Sequence, residues 1–464
     1  MKVETETLVI GAGPAGYVAA IRAAQLGKEV TMIDKQRNLG GVCLNWGCIP
    51  TKAVIEASDY YSVIQDLEEM GVEIEDFGLN FEKMREWKDG IIEKLEAGIR
   101  KLCKQHDIEI YRGKAVFDSE NSIRIEGQSD VTGITFDDCI LCTGSKSIQL
   151  PQFSFDHENI HDSKSILELD DIPESLAIIG GGYIGTELGT VFTKLGTDVS
   201  IIEMEDKLLP IMGEDMTHII QDKLQEKGVD LLLENSASGF EEIDGGLRLS
   251  LENDPGTLEV EEVLVVVGRE PNIDGIGLEQ AGIDVEDGFV KVDDYLQTSN
   301  PNVYAAGDIT GNPMLAHRAS RQGKVAAEVI AGEPAAFDNK VIPKVVFNDP
   351  EMAYVGMTKA EAEEKGKEVK IGNFPFEASG KAMIHRKTEG FIKVIAEKET
   401  DRVLGMEAVG PNISDVVSEA ALAIEMGATA EDIANTIHPH PTNSEGLMEA
   451  ADDVNEASVH IYRP

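Results

Sequence analysis

Two cysteines five positions apart, Cys43 and Cys48, stand in the segment GGVCLNWGCIPTK at residues 40–52. In a regular helix that spacing means about 7.5 Å of rise and about 140° of rotation. Disulfide partners need Cα atoms roughly 4.4–6.8 Å apart. A bridge therefore requires a distorted turn, which Gly47 and Pro50 are suited to make. So short a loop gains little stability on closure. Such a bridge would serve exchange, because strained bridges are the more reducible ones. The spacing alone fits two unpaired thiols as well. Near the other end, residues 438–446 read HPHPTNSEG. His440 paired with Glu445 would be a proton acceptor tuned toward neutral pH, and a dithiol must lose a proton before it can attack. The two groups are chemically matched. A surface histidine pair and a metal site at His438 and His440 are the other readings. No Cys or third His lies nearby to complete tetrahedral ligation, so no metal is expected.

Such groups need a scaffold, and the chain repeats one. Residues 8–34, LVIGAGPAGYVAAIRAAQLGKEVTMID, and residues 177–203, AIIGGGYIGTELGTVFTKLGTDVSIIE, have the same layout. Each runs from an apolar strand through a G-x-G-x-x-G turn into a helical stretch closed by Leu-Gly. A second apolar strand and an acid follow. The glycines are Gly11, Gly13, Gly16 and Gly180, Gly182, Gly185; the acids are Asp34 and Glu203. The first glycine permits the tight turn, the second lets the backbone approach a pyrophosphate, and the third lets the helix lie on the sheet. The pyrophosphate then meets free N–H groups at the helix N-terminus, and the acid accepts ribose hydroxyls. Two dinucleotides are expected. An acid at 203, with no cation before Lys207, favours NAD over NADP, whose 2′-phosphate it would repel. A third segment, TSNPNVYAAGDIT ending at Thr310, reads as a short strand closing on Gly307 and Asp308. It is either a strand with an ordinary turn or a flavin ribityl contact through Asp308.

The architecture expected is α/β: two Rossmann-like dinucleotide-binding domains plus a C-terminal α+β domain. Residues 1–148 and 273–338 form the first and residues 149–272 the second. Residues 339–464 form the third, with strands in VVFNDPEMAYVG, GFIKVIAEK and VLGMEAVG and helices in ISDVVSEAALAIEMG and TAEDIANTI. No apolar run approaches the ~18 residues of a membrane span. The charged start leads directly into a strand, so no signal peptide is expected. Five cysteines in 464 residues argue against a secreted disulfide scaffold and for a cytoplasmic protein. With 41 basic and 85 acidic residues the net charge is −44, which disfavours nucleic acid and anionic membranes as partners. It also raises the expectation of a halophilic surface, although Lys outnumbers Arg 28 to 13.

These motifs, together with CTGS at 142–145, VGREPN, MLAHRA at 314–319 and HPHPTNSE, give a chain that over essentially its whole length resembles the dihydrolipoamide dehydrogenases. These belong to the pyridine nucleotide–disulfide oxidoreductases. The resemblance implies FAD and NAD as cofactors. It makes Cys43 the thiol that exchanges with substrate and Cys48 the thiolate facing the flavin, with Lys52 near the flavin and paired with Glu187. Asp34 and Asp308 would hold FAD and Glu203 the adenosine ribose of NAD. Cofactor contacts are further implied at Lys52, Gly113, Ala115, Thr143, Gly144, Ala316 and Gly268. His440 and Glu445 would serve the partner subunit's site in an obligate homodimer with shared active sites, and the His440–Pro441 bond would be cis. Val42 stands where such proteins often have Thr, and Thr51 where they have Ser. Cys142 stands in place of Ala, and Arg321 in place of an acid. Nothing in the sequence explains Trp46.

The implied reaction is oxidation of dihydrolipoyl groups carried on an acyltransferase or a lipoyl carrier protein, within a 2-oxoacid dehydrogenase complex or the glycine cleavage system. The rival enzyme reading is an NAD(P)H-dependent reductase of a small, glutathione-like disulfide, which position 203 disfavours. A mercuric reductase is disfavoured because no Cys follows Cys142. A flavin-bearing scaffold without turnover is disfavoured by the complete Cys43, Cys48, His440, Glu445 set.

Overall fold

The structure, a computed structural model, describes residues 2–64, 67–127 and 130–462. Its first sheet has a parallel core in the order Glu109–Arg112, Val30–Asp34, Lys2–Ile10, Gly133–Leu141. The last of these also pairs in parallel with Val303–Ala305 and antiparallel with Ser122–Glu126, which continues to Lys114–Ser119. Strands covered on both faces read as unbroken apolar runs. Leu8, Val9, Cys139 and Ile140 accordingly have no exposure. The helix Pro14–Gln25 opens with Pro in its first turn and presents Ala15, Ala19 and Ala23 to the helix Ala316–Ile330. Those small side chains allow a close approach.

A second, five-stranded parallel sheet runs Asp230–Leu232, Asp198–Ile202, Ser175–Ile179, Glu262–Val265, Ile160–His161. A meander of Ala237–Ile243, Gly246–Leu251 and Thr257–Val260 covers part of it. The chain passes between the two sheets twice, and the passages Ser145–Ser147 and Arg269–Pro271 pair antiparallel.

The third sheet is antiparallel: Lys344–Val346, Glu351–Gly356, Val403–Gly410, Phe391–Glu397, Val369–Pro375. The stretch VVFNDPEMAYVG, expected as one strand, is two. Pro350 carries no N–H for a ladder, and residues 347–350 turn the chain so that Val345 faces Ala353. The edge strand Val369–Pro375 was not anticipated. The helices Ile413–Met426 and Glu445–Val454 lie on the sheet, with Leu447, Ala450 and Ala451 fully buried. Burying Leu447 contributes roughly 1.5–3 kcal/mol. Packing therefore sets the helix that carries Glu445 at its first turn. Among the described residues no helix is long and apolar enough to cross a membrane.

Candidate active site

The helical break demanded by the Cys43–Cys48 spacing is present. One helix, Gly41–Trp46, ends at Gly47, whose φ of −127° and ψ of −113° are not helical, and the next, Cys48–Ile64, starts at Cys48. A Cβ on Gly47 would lie 3.0 Å from the Val42 carbonyl oxygen and 3.3 Å from Cys43 Cα, so glycine lets the two segments close together. Cys43 and Cys48 are not bridged in the structure. The two side chains hydrogen-bond each other. The hydrogen bond from Cys43 pulls Cys48 down to about 7, helped by the Lys52 ammonium. The same bond and burial push Cys43 up. Lys52, one turn beyond Cys48, places Nζ 2.6 Å from Glu187 Oε2 and 4.6 Å from the centre of the Phe347 ring. Glu187 is buried and its other oxygen accepts the Phe347 N–H at 2.9 Å.

The space around each glycine shows which of them the chain itself requires and which a dinucleotide would. At Gly11 a Cβ would lie 2.2 Å from the Cys142 carbonyl oxygen, and at Gly16 1.8 Å from that of Gly11. At Gly180 it would meet the Val266 oxygen at 2.7 Å, and at Gly185 the Gly180 oxygen at 2.1 Å. The first and third glycines are thus required by the chain's own packing. The middle ones are not. Gly182 has nothing within 4 Å, and Gly13 has only Gly41 Cα at 3.9 Å. Glycine there leaves the helix start open to a ligand, and neither helix has a side-chain N-cap. The acids match as well. Asp34 accepts the Ala12 N–H at 2.6 Å and that of Gln36 at 2.6 Å; Glu203 accepts the Gly181 N–H at 2.7 Å and that of Glu205 at 3.0 Å. A carboxylate has about four acceptor sites, so capacity remains for ribose hydroxyls. Lys207 turns to the Met212 carbonyl and so does not supply the cation a 2′-phosphate wants. Both turns fit the groups expected.

Asp308 follows Gly307, which has φ +88°, and accepts the Ser145 hydroxyl at 2.5 Å. Arg269 donates to the Ser145 hydroxyl at 2.8 Å and to its carbonyl at 2.9 Å. Thr143 and Asn272 bond each other's carbonyls, and Gly268 accepts the Ile148 N–H. Gly144 has φ +70°. Gly113 donates to the Asp34 carbonyl, with Ala115 buried two residues on. Ala316 opens its helix without a side-chain cap. Sequence reasoning missed Ser145 and Arg269 as partners of Asp308, although both lie inside quoted motifs. It also missed Tyr183, which follows Gly182 at the start of its helix and is 39% exposed.

His440 Nδ1 lies 2.8 Å from Glu445 Oε1, and Glu445 Oε2 accepts the Thr442 N–H at 2.7 Å. A carboxylate only accepts, so the ring donates through Nδ1, which leaves Nε2 as an acceptor; the side chain is 79% exposed. Among the described residues this pair has no hydrogen bond or ion pair with Cys43 or Cys48 of its own chain. The His440–Pro441 bond is cis. No group of His, Cys, Asp and Glu among the described residues could hold a metal. Cys142 is buried against Gly16. Trp46 stacks under Lys164 Nζ at 5.2 Å.

Two cysteines beside the Lys52–Glu187 pair, two glycine turns that each lead from a parallel sheet into a helix, and a histidine–glutamate pair in a loop of the third unit place the chain in a family. It belongs to the pyridine nucleotide-disulphide oxidoreductases, which match residues 5–323, with their dimerisation domain at 342–451. It is an oxidoreductase that uses FAD and NAD, and a homodimer. Within the family it is 47% identical to the dihydrolipoyl dehydrogenase of Geobacillus stearothermophilus, covering 99% of this chain and 98% of that one. To the dihydrolipoyl dehydrogenase of Haloferax volcanii it is 45% identical over 98% and 97%. Among solved structures, LpdA from Mycobacterium tuberculosis superposes with a TM-score of 0.90 at 25% identity, covering 96% of this chain and 99% of that one. The HOCl-induced flavoprotein disulfide reductase RclA from Escherichia coli gives 0.87 at 26%, covering 96% and 99%.

Proposed function

We propose that the protein oxidises dihydrolipoyl groups to the lipoyl disulfide with NAD⁺ as acceptor. The observation that carries this reading is the placement of Cys43 and Cys48 on either side of the Gly47 break, with the Lys52–Glu187 pair one turn beyond Cys48. Cys48, beside that ammonium, is the leaving thiolate, and Cys43 is left to exchange with substrate. His440 Nε2 takes the proton from one substrate thiol. The substrate thiolate attacks Cys43 of the Cys43–Cys48 disulfide, and the S–S electron pair leaves on Cys48. The second substrate thiol then attacks its own partner sulfur, its proton passing to Cys43 as that sulfur leaves, which releases the lipoyl disulfide and the Cys43 thiol. Lys52, steadied by Glu187, favours the negative charge on Cys48. Gly11, Gly13, Gly16, Asp34, Gly113, Ala115, Thr143, Gly144, Asp308, Ala316 and Lys52 would hold FAD, and Gly180, Gly182, Gly185, Glu203 and Gly268 would hold NAD. Bound FAD supplies the hydride chemistry that connects the dithiol to NAD⁺.

The exposed Nε2 and the dimerisation match support a shared site, in which His440 and Glu445 act on the thiols of the other subunit. We assign residues 1–148 and 273–338 to FAD, 149–272 to NAD and 339–464 to dimerisation. The physiological donor is a lipoyl-bearing acyltransferase or carrier protein of a 2-oxoacid dehydrogenase complex or glycine cleavage system, in the cytoplasm. Steady-state rates with dihydrolipoamide, free dihydrolipoic acid and small thiols, each with NAD⁺ and NADP⁺, test this. Dihydrolipoamide with NAD⁺ should lead. A glutathione-like disulfide reduced best by NADPH would replace the reading with its rival.

A further inference from the structure

His438 and His440 are two residues apart and are used in opposite ways. The His440 side chain is 79% exposed and that of His438 is 4% exposed. His438 Nδ1 lies 2.8 Å from the Thr436 carbonyl oxygen, and Nε2 lies 2.9 Å from Glu419 Oε1 on the helix Ile413–Met426. Both partners are acceptors, so the ring meets both only with a proton on each nitrogen. On the N-terminal side of His440 this clamp is what ties the loop to the helix Ile413–Met426. Pro439 and Pro441 have no N–H, and Ile437 is 96% exposed. Beyond His440 the chain is tied again: Asn443 donates to the Pro411 carbonyl at 2.8 Å and Glu445 takes the Thr442 N–H. Between these anchors the Thr442 hydroxyl donates to the Pro439 carbonyl at 2.8 Å, and Glu445 holds the His440 ring.

We infer that His438 is a positioning residue: its clamp on Glu419 fixes the loop so that His440 Nε2 is aimed at the substrate thiol in the shared site. This rests on the reading of His440 as the base. A base serves only in a narrow geometry, and a misplacement of about 1 Å can cost about a hundredfold. Glu445 sets the tautomer and tilt of the His440 ring, whereas His438 sets the place of the backbone beneath it.

The test measures two activities of the holoenzyme. Dihydrolipoamide oxidation needs the base; NADH oxidation by an electron-accepting dye bypasses it. His438→Ala should lower the first about 10–100-fold in kcat, with FAD content, dimer size and NADH:dye turnover unchanged. His438→Gln, whose amide N–H reaches the place of Nε2, should recover most of the loss. Glu419→Ala removes the same contact from a more exposed side chain and carries the test if His438→Ala does not fold. In a His440→Gln background, His438→Ala should add no further loss. Equal loss of both activities, or a loss that multiplies with that of His440→Gln, overturns the inference. A fully active His440→Gln would instead overturn the reading of the base itself.

Discussion

Lys52 and Glu187 join two units of the chain through a contact of 2.6 Å, and Glu187 joins the third as well by accepting the Phe347 N–H. Lys52 lies in the helix that Cys48 begins, Glu187 in the helix that follows the second glycine turn, and Phe347 at the edge of the antiparallel sheet. The charge beside the reactive thiol is therefore set by how the three units pack. Removing the Glu187 side chain would leave a buried N–H unpaired, at about 1–3 kcal/mol.

The sign of each charge gives the first prediction. Lys52 lowers the Cys48 thiol and Glu187 raises it. Lys52→Met should move the titration of Cys48 above about 7, and Glu187→Gln should move it below. The rate of iodoacetamide alkylation of reduced protein against pH reads this directly. Shifts of both variants in one direction would contradict the assignment.

His440→Gln should cost about 10²–10⁴-fold in dihydrolipoamide oxidation, as loss of a general base does. A heterodimer pairing a His440→Gln chain with a Cys43→Ser chain has one site with both groups intact and one with neither. Activity of one site in two should return. A purified heterodimer that stays inactive would mean that His440 serves its own chain.

Much of this was legible in the residues, because the repeated glycine turns and acids have fixed spacing dictated by a ligand. The break at Gly47 followed from arithmetic on Cys43 and Cys48. The partnership of Glu187 with Phe347 was not legible, since a backbone N–H from a distant strand leaves no mark on the sequence. Nor were Ser145 and Arg269 around Asp308, which meet only when two crossing strands pair. The split of VVFNDPEMAYVG was hidden for a different reason: apolar residues continue on both sides of Pro350, and periodicity alone cannot show a reversal.

Coenzyme choice follows from Glu203, whose oxygens are held by the N–H groups of Gly181 and Glu205. Glu203→Gly combined with Glu205→Arg should raise kcat/KM for NADP⁺ relative to NAD⁺ by about tenfold or more, the equivalent of about 1.4 kcal/mol. A wild type that already uses both coenzymes equally would refute the role given to this acid.

Acid stability depends on Asp349. Burial opposes its ionisation, but Lys194 at 2.7 Å and Lys387 at 3.0 Å more than offset that and hold the carboxyl well below the usual range. A lowered folded-state pKa contributes stability that is complete above the unfolded value of about 3.9 and is lost as pH falls below it. Lys194, with a side chain 2% exposed, is also held by Asp59 at 2.5 Å. Asp349→Asn leaves Lys194 with Asp59 alone and Lys387 without a carboxylate, and should cost about 1–3 kcal/mol at neutral pH. In urea unfolding the gap from wild type should narrow below about pH 4. A gap independent of pH would mean that packing, not charge, is lost.

The last prediction concerns the surface. If every one of the 41 basic residues were paired singly, 44 carboxylates would still lack a cation. The cradles are not responsible, since anionic cofactors bind at positive helix ends. The excess lies on the exterior, where like charges repel within each subunit and across the dimer. The Debye length is about 30 Å at 0.01 M salt and about 3 Å at 1 M. Salt should therefore remove most of the repulsion, while buried pairs such as Lys194–Asp349 are screened little. Activity and dimer content should rise with KCl or NaCl into the molar range, and dilution should release FAD. Thermal unfolding followed by flavin fluorescence, from about 0.05 to about 3 M salt, reads the midpoint. A midpoint that is flat or falls with salt would show that the acidic surface is tolerated without screening, and would leave the catalytic reading untouched.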